Sequence, residues 1–515
     1  MTGPPATSSS AEGGGGVRPD TSPEPGEIAG PGDEATGPGM PVEASLKAKA
    51  RRALGWSLIS TISARFGTLA IGIVLARVLG PMEFGTFAVA LVALLAMLSI
   101  NELGVSLAIV RWPDDPRRII PTVTTLATAS SLIICIAVFS VAPAFAEAMG
   151  NPAATGPIRI LALSVLINGV VSTSAALMQR EFMQGRKAIV DQVDSWLGAV
   201  ISLVLALLGW GAMSLAVGRV CGSLAGGTLC VVFAPHRLRF GFDREVIRRL
   251  LRFGLPLAGS SLVVFAAGYI DQILVGHLLG PVALGFYVLA FNLSGWPIAV
   301  FSQPVRAVAP AAFARLQHDR PRLNRAFLTT AGLLVGLTAP VCLLLSGSAP
   351  ALIRFVYGAE WQPAADVLAW LGVFASLRIL SELMYDYLVV LERSRAVFAI
   401  QVLWLCALAP AVYTGIQVAG LRGAPIALVA VSTAVVIPAY LFQLGRTGVG
   451  AGRLLGAFLP GALTALAVYG VATLAVDLIP LDLLALAVAG LAGVGAAVLY
   501  AYRNRQVLRN IREAT

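Results

Sequence analysis

Residues 84–110, "FGTFAVALVALLAMLSINELGVSLAIV", carry a single charged side chain, Glu102. A run of this kind has one comfortable environment, because about 20 apolar residues coiled as a helix cross the hydrocarbon core of a membrane while pairing every backbone group internally. Thirteen further runs recur along the chain, so that spans are expected near 55–78, 84–110, 119–146, 157–178, 193–209, 212–233, 255–279, 284–308, 327–348, 364–390, 396–419, 424–444, 455–476 and 481–502. Composition agrees: 57% hydrophobic against 12% charged residues, with a mean hydropathy of +0.82, leaves too little polar surface to cover a water-soluble body. The expected fold class is an all-α integral membrane protein of about 14 transmembrane helices.

Charge orients the runs. Placing alternate loops on opposite sides collects nearly all loop Lys and Arg on one side, from Lys47, Lys49, Arg51 and Arg52 to Arg503, Arg505, Arg509 and Arg512. The other side keeps Arg159, Arg354 and Arg422. The rich side is cytoplasmic by the positive-inside rule, which puts both termini in the cytoplasm. The net charge of +10 is then an orientation signal, and nucleic acid is not an expected partner. Residues 1–45, rich in Gly, Pro and Ser, read as a disordered cytoplasmic tail, and 503–515 as a second one. Cys135, Cys221, Cys230, Cys342 and Cys406 all fall in expected spans, and His236, His277 and His318 are scattered, so neither a disulfide nor a bound metal is expected.

The chain also repeats itself. "IVLARVLGPMEFGTFAVA" at 73–90 and "ILVGHLLGPVALGFYVLA" at 273–290 share Ile, Leu, Gly, Pro, Gly and Ala at a constant offset, and each follows a basic segment and one span. Glycine tolerates unusual dihedrals and proline ends a helix, so both Gly-Pro pairs suit a short external turn. Two parallel pseudo-symmetric lobes of six helices are expected, 46–235 and 236–450, followed by two further spans within 451–502. Paired lobes of this sort can rock about a central cavity.

Four stretches, "LARVLGPMEFGTFAVA", "ELGVSLAIVRWP", "YIDQILVGHLLGPVALGFYVLA" and "YGAEWQPAADVLAWLG", resemble the polysaccharide transporter family of lipid-linked oligosaccharide flippases, within the multidrug and polysaccharide exporter superfamily. The resemblance covers roughly 47–445 and is most specific from Leu75 to Pro113. It implies a non-enzymatic flippase in the bacterial cytoplasmic membrane. The cargo would be an undecaprenyl-pyrophosphate-linked sugar repeat unit, moved from the inner to the outer leaflet for exopolysaccharide, capsule or O-antigen. It implies partners as well: the glycan lipid, the bilayer, and a polymerase with its chain-length machinery. No cofactor is implied, although Na⁺ or H⁺ coupling is.

Charges within spans are expensive and mark places to look for function. Ser57, Thr61, Arg65, Thr68 and Gly72 line one face of the first span, so Arg65 is the leading candidate to hold a pyrophosphate through its planar fork. Arg219, Arg306 and Arg378 are further candidate substrate-binding residues, and Arg306 is also placed to snorkel from a helix end. Asp271, spaced with Ser261, Val264 and Gly268 on the seventh span, is a candidate coupling residue or a structural pair. Arg378, Glu382 and Asp386 follow one another at i, i+4 and are set either to neutralise each other or to take part in coupling. Glu102, in "NELG", is a candidate gate or buried pair. Pro297, Pro304 and Pro310 are expected to kink or end the eighth span, and "VIRRLLRF" to lie along the membrane surface.

Two alternatives stay open. A drug exporter of the same superfamily would favour an acidic cavity over an Arg-bearing one. An integral-membrane glycosyltransferase or polymerase needs catalytic carboxylates on a sizeable loop, whereas the longest external loop, 349–363, has Glu360 as its one acid.

Overall fold

The computed structural model describes residues 42–101, 119–181, 183–235 and 239–503, excepting the side chains of 42–69, 184, 253, 255–257, 307, 308, 311, 451 and 501. The tails expected at 1–45 and 503–515 lie outside them but for their innermost residues. The chain divides between Thr61 and Ile62 into two units. Of the first, the described residues contain only helical backbone from Val42. All that follows concerns the second.

Among the described residues every regular element is helical. Eleven stretches are long and apolar enough to cross a membrane, from Ala70–Asn101 to Asp482–Tyr500. Three of them double back. Helix Val42–Asn101 breaks at Gly80, helix Arg244–Ser294 breaks at Gly280, and Ser394–Ala419 is parted from Gly423–Val431 at Gly420. Fourteen spans result among the described residues, the expected number.

The two Gly-Pro breaks have nearly the same backbone. Gly80 has φ 70° and ψ 174°, and Gly280 has φ 82° and ψ −176°. A side chain disfavours such a φ, so the conserved offset of two glycines has a conformational cause in both copies. The third span is Ile120–Ala148, the fourth Thr155–Arg180, the sixth Ala212–Phe233, the ninth Arg320–Gly347 and the tenth Pro363–Val390.

Two expected boundaries differ. The basic segment 246–253 does not form a separate surface helix but continues into the seventh span, its start capped by the Asp243 carboxylate, which accepts from the N–H groups of Glu245 and Val246. The fifth span, Gln184–Leu207, begins before the expected 193 because a Lys187–Asp191 ion pair of 3.0 Å adds polar helical turns that hydropathy does not register.

Packing follows the usual rule for helices in lipid, with small residues where backbones meet and large apolar ones outside. One core cluster, at the Gly-Pro end, joins residues of both repeats, among them Val89, Ala90, Tyr287 and Ala290, around the buried Trp361. A second, at the opposite end, stacks Phe327 on Tyr387 at 4.2 Å between ring centroids. Outward-facing Ile133, Val264 and Leu491 are 67%, 71% and 73% exposed, as a lipid-contacting surface requires. The final pair, Ala451–Leu478 and Asp482–Arg503, docks on the ninth span, where the Tyr500 hydroxyl donates to the Gly332 carbonyl at 2.9 Å.

Candidate functional site

Four charged residues of the eighth and tenth spans form one network. Arg306 donates through Nε and Nη2 to the two carboxylate oxygens of Asp386 at 2.7 and 3.0 Å, a forked pair, and its Nη1 lies 3.1 Å from Glu382. Arg378 donates through Nε to the other Glu382 oxygen at 3.0 Å. The i, i+4 series on the tenth span therefore neutralises itself only in part. Asp386 instead takes its partner from another span, and Arg306, rather than reaching for the helix end, turns inward to supply it.

Helix geometry places that arginine. The stretch Ile298–Ser302 makes a π turn, after which the helix resumes as Gln303–Arg315. Pro304 has no N–H for the carbonyl one turn back, and the wider turn immediately before it accommodates the loss. Ser432–Val436 makes a second π turn two residues before Pro438 in the twelfth span. Prolines expected to end or kink the eighth span thus sit in a helix that continues through Pro310. Ser302, at the end of its π turn, is 3.5 Å from the Glu382 carboxylate.

Asp271 lies on the seventh span. It is 3% exposed and accepts a hydrogen bond from the Tyr287 hydroxyl at 2.6 Å. Its expected stripe separates: Val264 faces outward, and Asp271 is buried. The four network residues set two carboxylates against two guanidiniums, each bound by at least one other, while the carboxylate of Asp271 is held by Tyr287. Charges that cost several kcal/mol to strip of water persist in a membrane only where partners or hydration offset the loss.

Arg219 belongs elsewhere. Between the fourth, fifth and sixth spans lies a cavity of 180 Å³, lined among others by Ser164, Asn168, Lys187, Asp191, Asp194 and Arg219. Arg219 approaches Asp194 only to 4.0 Å. The other Asp194 oxygen and the Ser164 hydroxyl are buried with no hydrogen-bond partner among the described residues. Glycines hold this wall together: a Cβ on Gly222 would lie 2.4 Å from the Asp194 carbonyl. Arg65 lies on described helical backbone, but its side chain is outside the described residues, as is the whole of Glu102.

Sequence reasoning overlooked Tyr287, Ser302, Asp191, Asp194 and Ser164. Tyr287 had a usable signal: it follows Gly280 at almost the distance by which Asp271 precedes it, so a hairpin at that glycine brings the two level. Asp191 and Asp194 were visible as acids i, i+3 apart at the start of an apolar run. Ser164 had none.

Comparison with known proteins fits this architecture. A family model described as "Polysaccharide biosynthesis protein" matches residues 74–366. The succinoglycan biosynthesis transport protein ExoT of Rhizobium meliloti (strain 1021) is 27% identical over 325 residues, 62% of this chain and 65% of that protein, so just under two thirds of its length is spanned. The lipopolysaccharide biosynthesis protein WzxC of Escherichia coli (strain K12) is 24% identical over 402 residues, 78% of this chain and 82% of its own. Among solved structures, the lipid II flippase MurJ in an inward closed conformation superposes with a TM-score of 0.73 at 12% identity, covering 88% of this chain and 100% of that one, a likeness of fold. Repeat, span count and family match agree: this multi-pass membrane protein belongs to the polysaccharide biosynthesis protein family.

Proposed function

We propose that the chain is a transporter and not an enzyme, flipping a polyprenyl-pyrophosphate-linked oligosaccharide from the inner to the outer leaflet of a bacterial cytoplasmic membrane for polysaccharide assembly. The lobes 46–235 and 236–450 alternate access to a cavity between them, 451–502 is an appended pair, and both termini are cytoplasmic. Polymerase and chain-length machinery would receive the product. The observation that carries this reading is the network of Arg306, Arg378, Glu382 and Asp386, with the buried Asp271, within the spans of a chain whose relatives are named for polysaccharide biosynthesis and its transport. A polar sugar and a pyrophosphate need a wet, charged path, while a polyprenyl tail stays in lipid.

Roles divide by charge. Arg65, with Arg219, Arg306 and Arg378, is assigned to the anionic head, since a guanidinium binds phosphate oxygens bidentately and stays charged. Asp271, Glu382, Asp386 and Glu102 are assigned to ion coupling or gating. The four-residue network balances its own charge, so the buried Asp271, held by Tyr287, is the acid that favours a cation, Na⁺ or H⁺, as what the second lobe exchanges. In a polymer-export complementation assay at matched protein level, Arg65→Ala is expected to abolish export and Arg65→Lys to keep part of it; full export by Arg65→Ala removes its role. In proteoliposomes, flipping should rise under one imposed gradient, and indifference to both Na⁺ and H⁺ removes the coupling.

A further inference from the structure

The repeated stretch meets itself. A Cβ built on Gly85 would lie 1.9 Å from the Pro281 carbonyl oxygen, and one on Gly285 would lie 2.8 Å from the Pro81 carbonyl oxygen and 3.1 Å from the Gly85 Cα. These are repeat-equivalent glycines, each resting on the proline of the other copy. Backbones this close leave no side chain between the helices at the glycine crossing itself, so at that level contact can be broken and remade without repacking.

A second pair of repeat mates crosses in the same reciprocal way. Arg77, near the end of the first span, donates from Nε to the Val356 carbonyl at 2.6 Å and from Nη2 to the Phe355 carbonyl at 2.5 Å. Those carbonyls end the short helix Ala349–Tyr357 that follows the ninth span. His277, its counterpart in the second copy, places Nδ1 2.5 Å from the Ala148 carbonyl, which ends the third span. A carbonyl only accepts, so Nδ1 carries the proton. The third span of one lobe corresponds to the ninth of the other; His277 caps the end of the third span and Arg77 the short helix that follows the ninth, so each lobe satisfies carbonyls that helices of its mate leave unpaired. Trp361, 1% exposed, fills the wedge between Phe84 of the first copy at 5.4 Å and Phe286 of the second at 5.8 Å.

We propose that the duplicated Gly-Pro stretches are the external gate of the transporter, closed by Gly85 against Gly285 and latched by Arg77 and His277, and that their separation opens the path to the outer leaflet. This rests on the alternating-access reading above. The latch is suited to opening: both caps are solvent-exposed, so water replaces the protein partner when they release, whereas the glycine contact sets how tightly the lobes close.

The test uses the full chain with its native cysteines replaced and a reporter on the seam. Ala88→Cys, 1% exposed, and its mate Val288→Cys, 4% exposed, lie one helical turn from Gly85 and Gly285 on the same face. A membrane-impermeant maleimide is added to intact cells. The expected result is that Gly85→Leu or Gly285→Leu speeds labelling about five-fold or more, the factor given by a shift of one kcal/mol. The double change Arg77→Ala with His277→Ala should speed it about three-fold, as loss of exposed hydrogen bonds allows. Should either leucine variant fail to yield monodisperse protein, the alanine pair decides. Labelling at the parent rate in the variants that fold overturns the gate while leaving alternating access intact. Export is read in parallel: unchanged export by Asp386→Ala would sink the functional reading without touching the labelling result.

Discussion

The two lobes repeat a backbone and not a chemistry. At Gly80 and Gly280 the dihedrals nearly coincide, and Gly85 and Gly285 make mirrored contacts. Charges inside the helices differ. The second lobe draws Arg306, Glu382, Asp386 and Arg378 into a tight network with bonds of 2.7 to 3.1 Å, whereas the first holds Arg219 and Asp194 loosely at 4.0 Å beside a cavity. Even at matched positions chemistry departs: Asp271 is opposite Ile71, and Phe265 opposite Arg65. Dihedrals and close backbone contacts tolerate few substitutions, so they survive duplication, while a side chain facing a cavity is free to change.

That contrast can be broken in steps. The largest effect is expected from Asp386→Ala, which leaves the Arg306 guanidinium with Glu382 alone and should cost about 2–3 kcal/mol in thermal unfolding of the purified protein together with loss of export. Replacing both Arg306 and Asp386 by Leu should restore much of the stability and none of the export; a double variant as unstable as the single one would show that packing, not charge, is at stake. Gly80→Ala and Gly280→Ala should each cost about 1–2 kcal/mol, since both put a Cβ in left-handed backbone. Unequal losses would mean that the repeated turns are not mechanically equivalent. Asp194→Asn should cost less than about 1 kcal/mol, because a long, partly exposed pair contributes little. A loss matching that of Asp386→Ala would erase the distinction between the lobes.

Much of the frame was readable before any coordinates. Spans announce themselves by length and hydropathy, and a Gly-Pro recurring at a fixed offset after a basic segment signals both a turn and a duplication. Charged residues of the tenth span also stood out, since membrane charges are rare. Their partners did not. Arg306 and Asp386 are eighty positions apart, and which of two acids it would fork onto depends on a π turn that no hydropathy pattern records. Arg77 lies near a helix end, where a long basic side chain ordinarily snorkels, yet it bonds across the lobes to carbonyls that carry no sequence signature. Backbone acceptors are identical at every residue, so contacts made to them emerge only in three dimensions.

The π turn at Ile298–Ser302 gives the eighth span one place that can lose a residue without turning the helix. A helix is a screw, and a deletion in its regular part rotates everything downstream by about 100° and draws it back by about 1.5 Å. The wider turn already spools one extra residue into a single loop, so excising Ala299 or Val300 would return it to ordinary α pitch and leave the guanidinium of Arg306 facing Asp386. The same excision just past the turn, at Val305, would swing that guanidinium a quarter-turn away while hydropathy and span length stayed nearly constant.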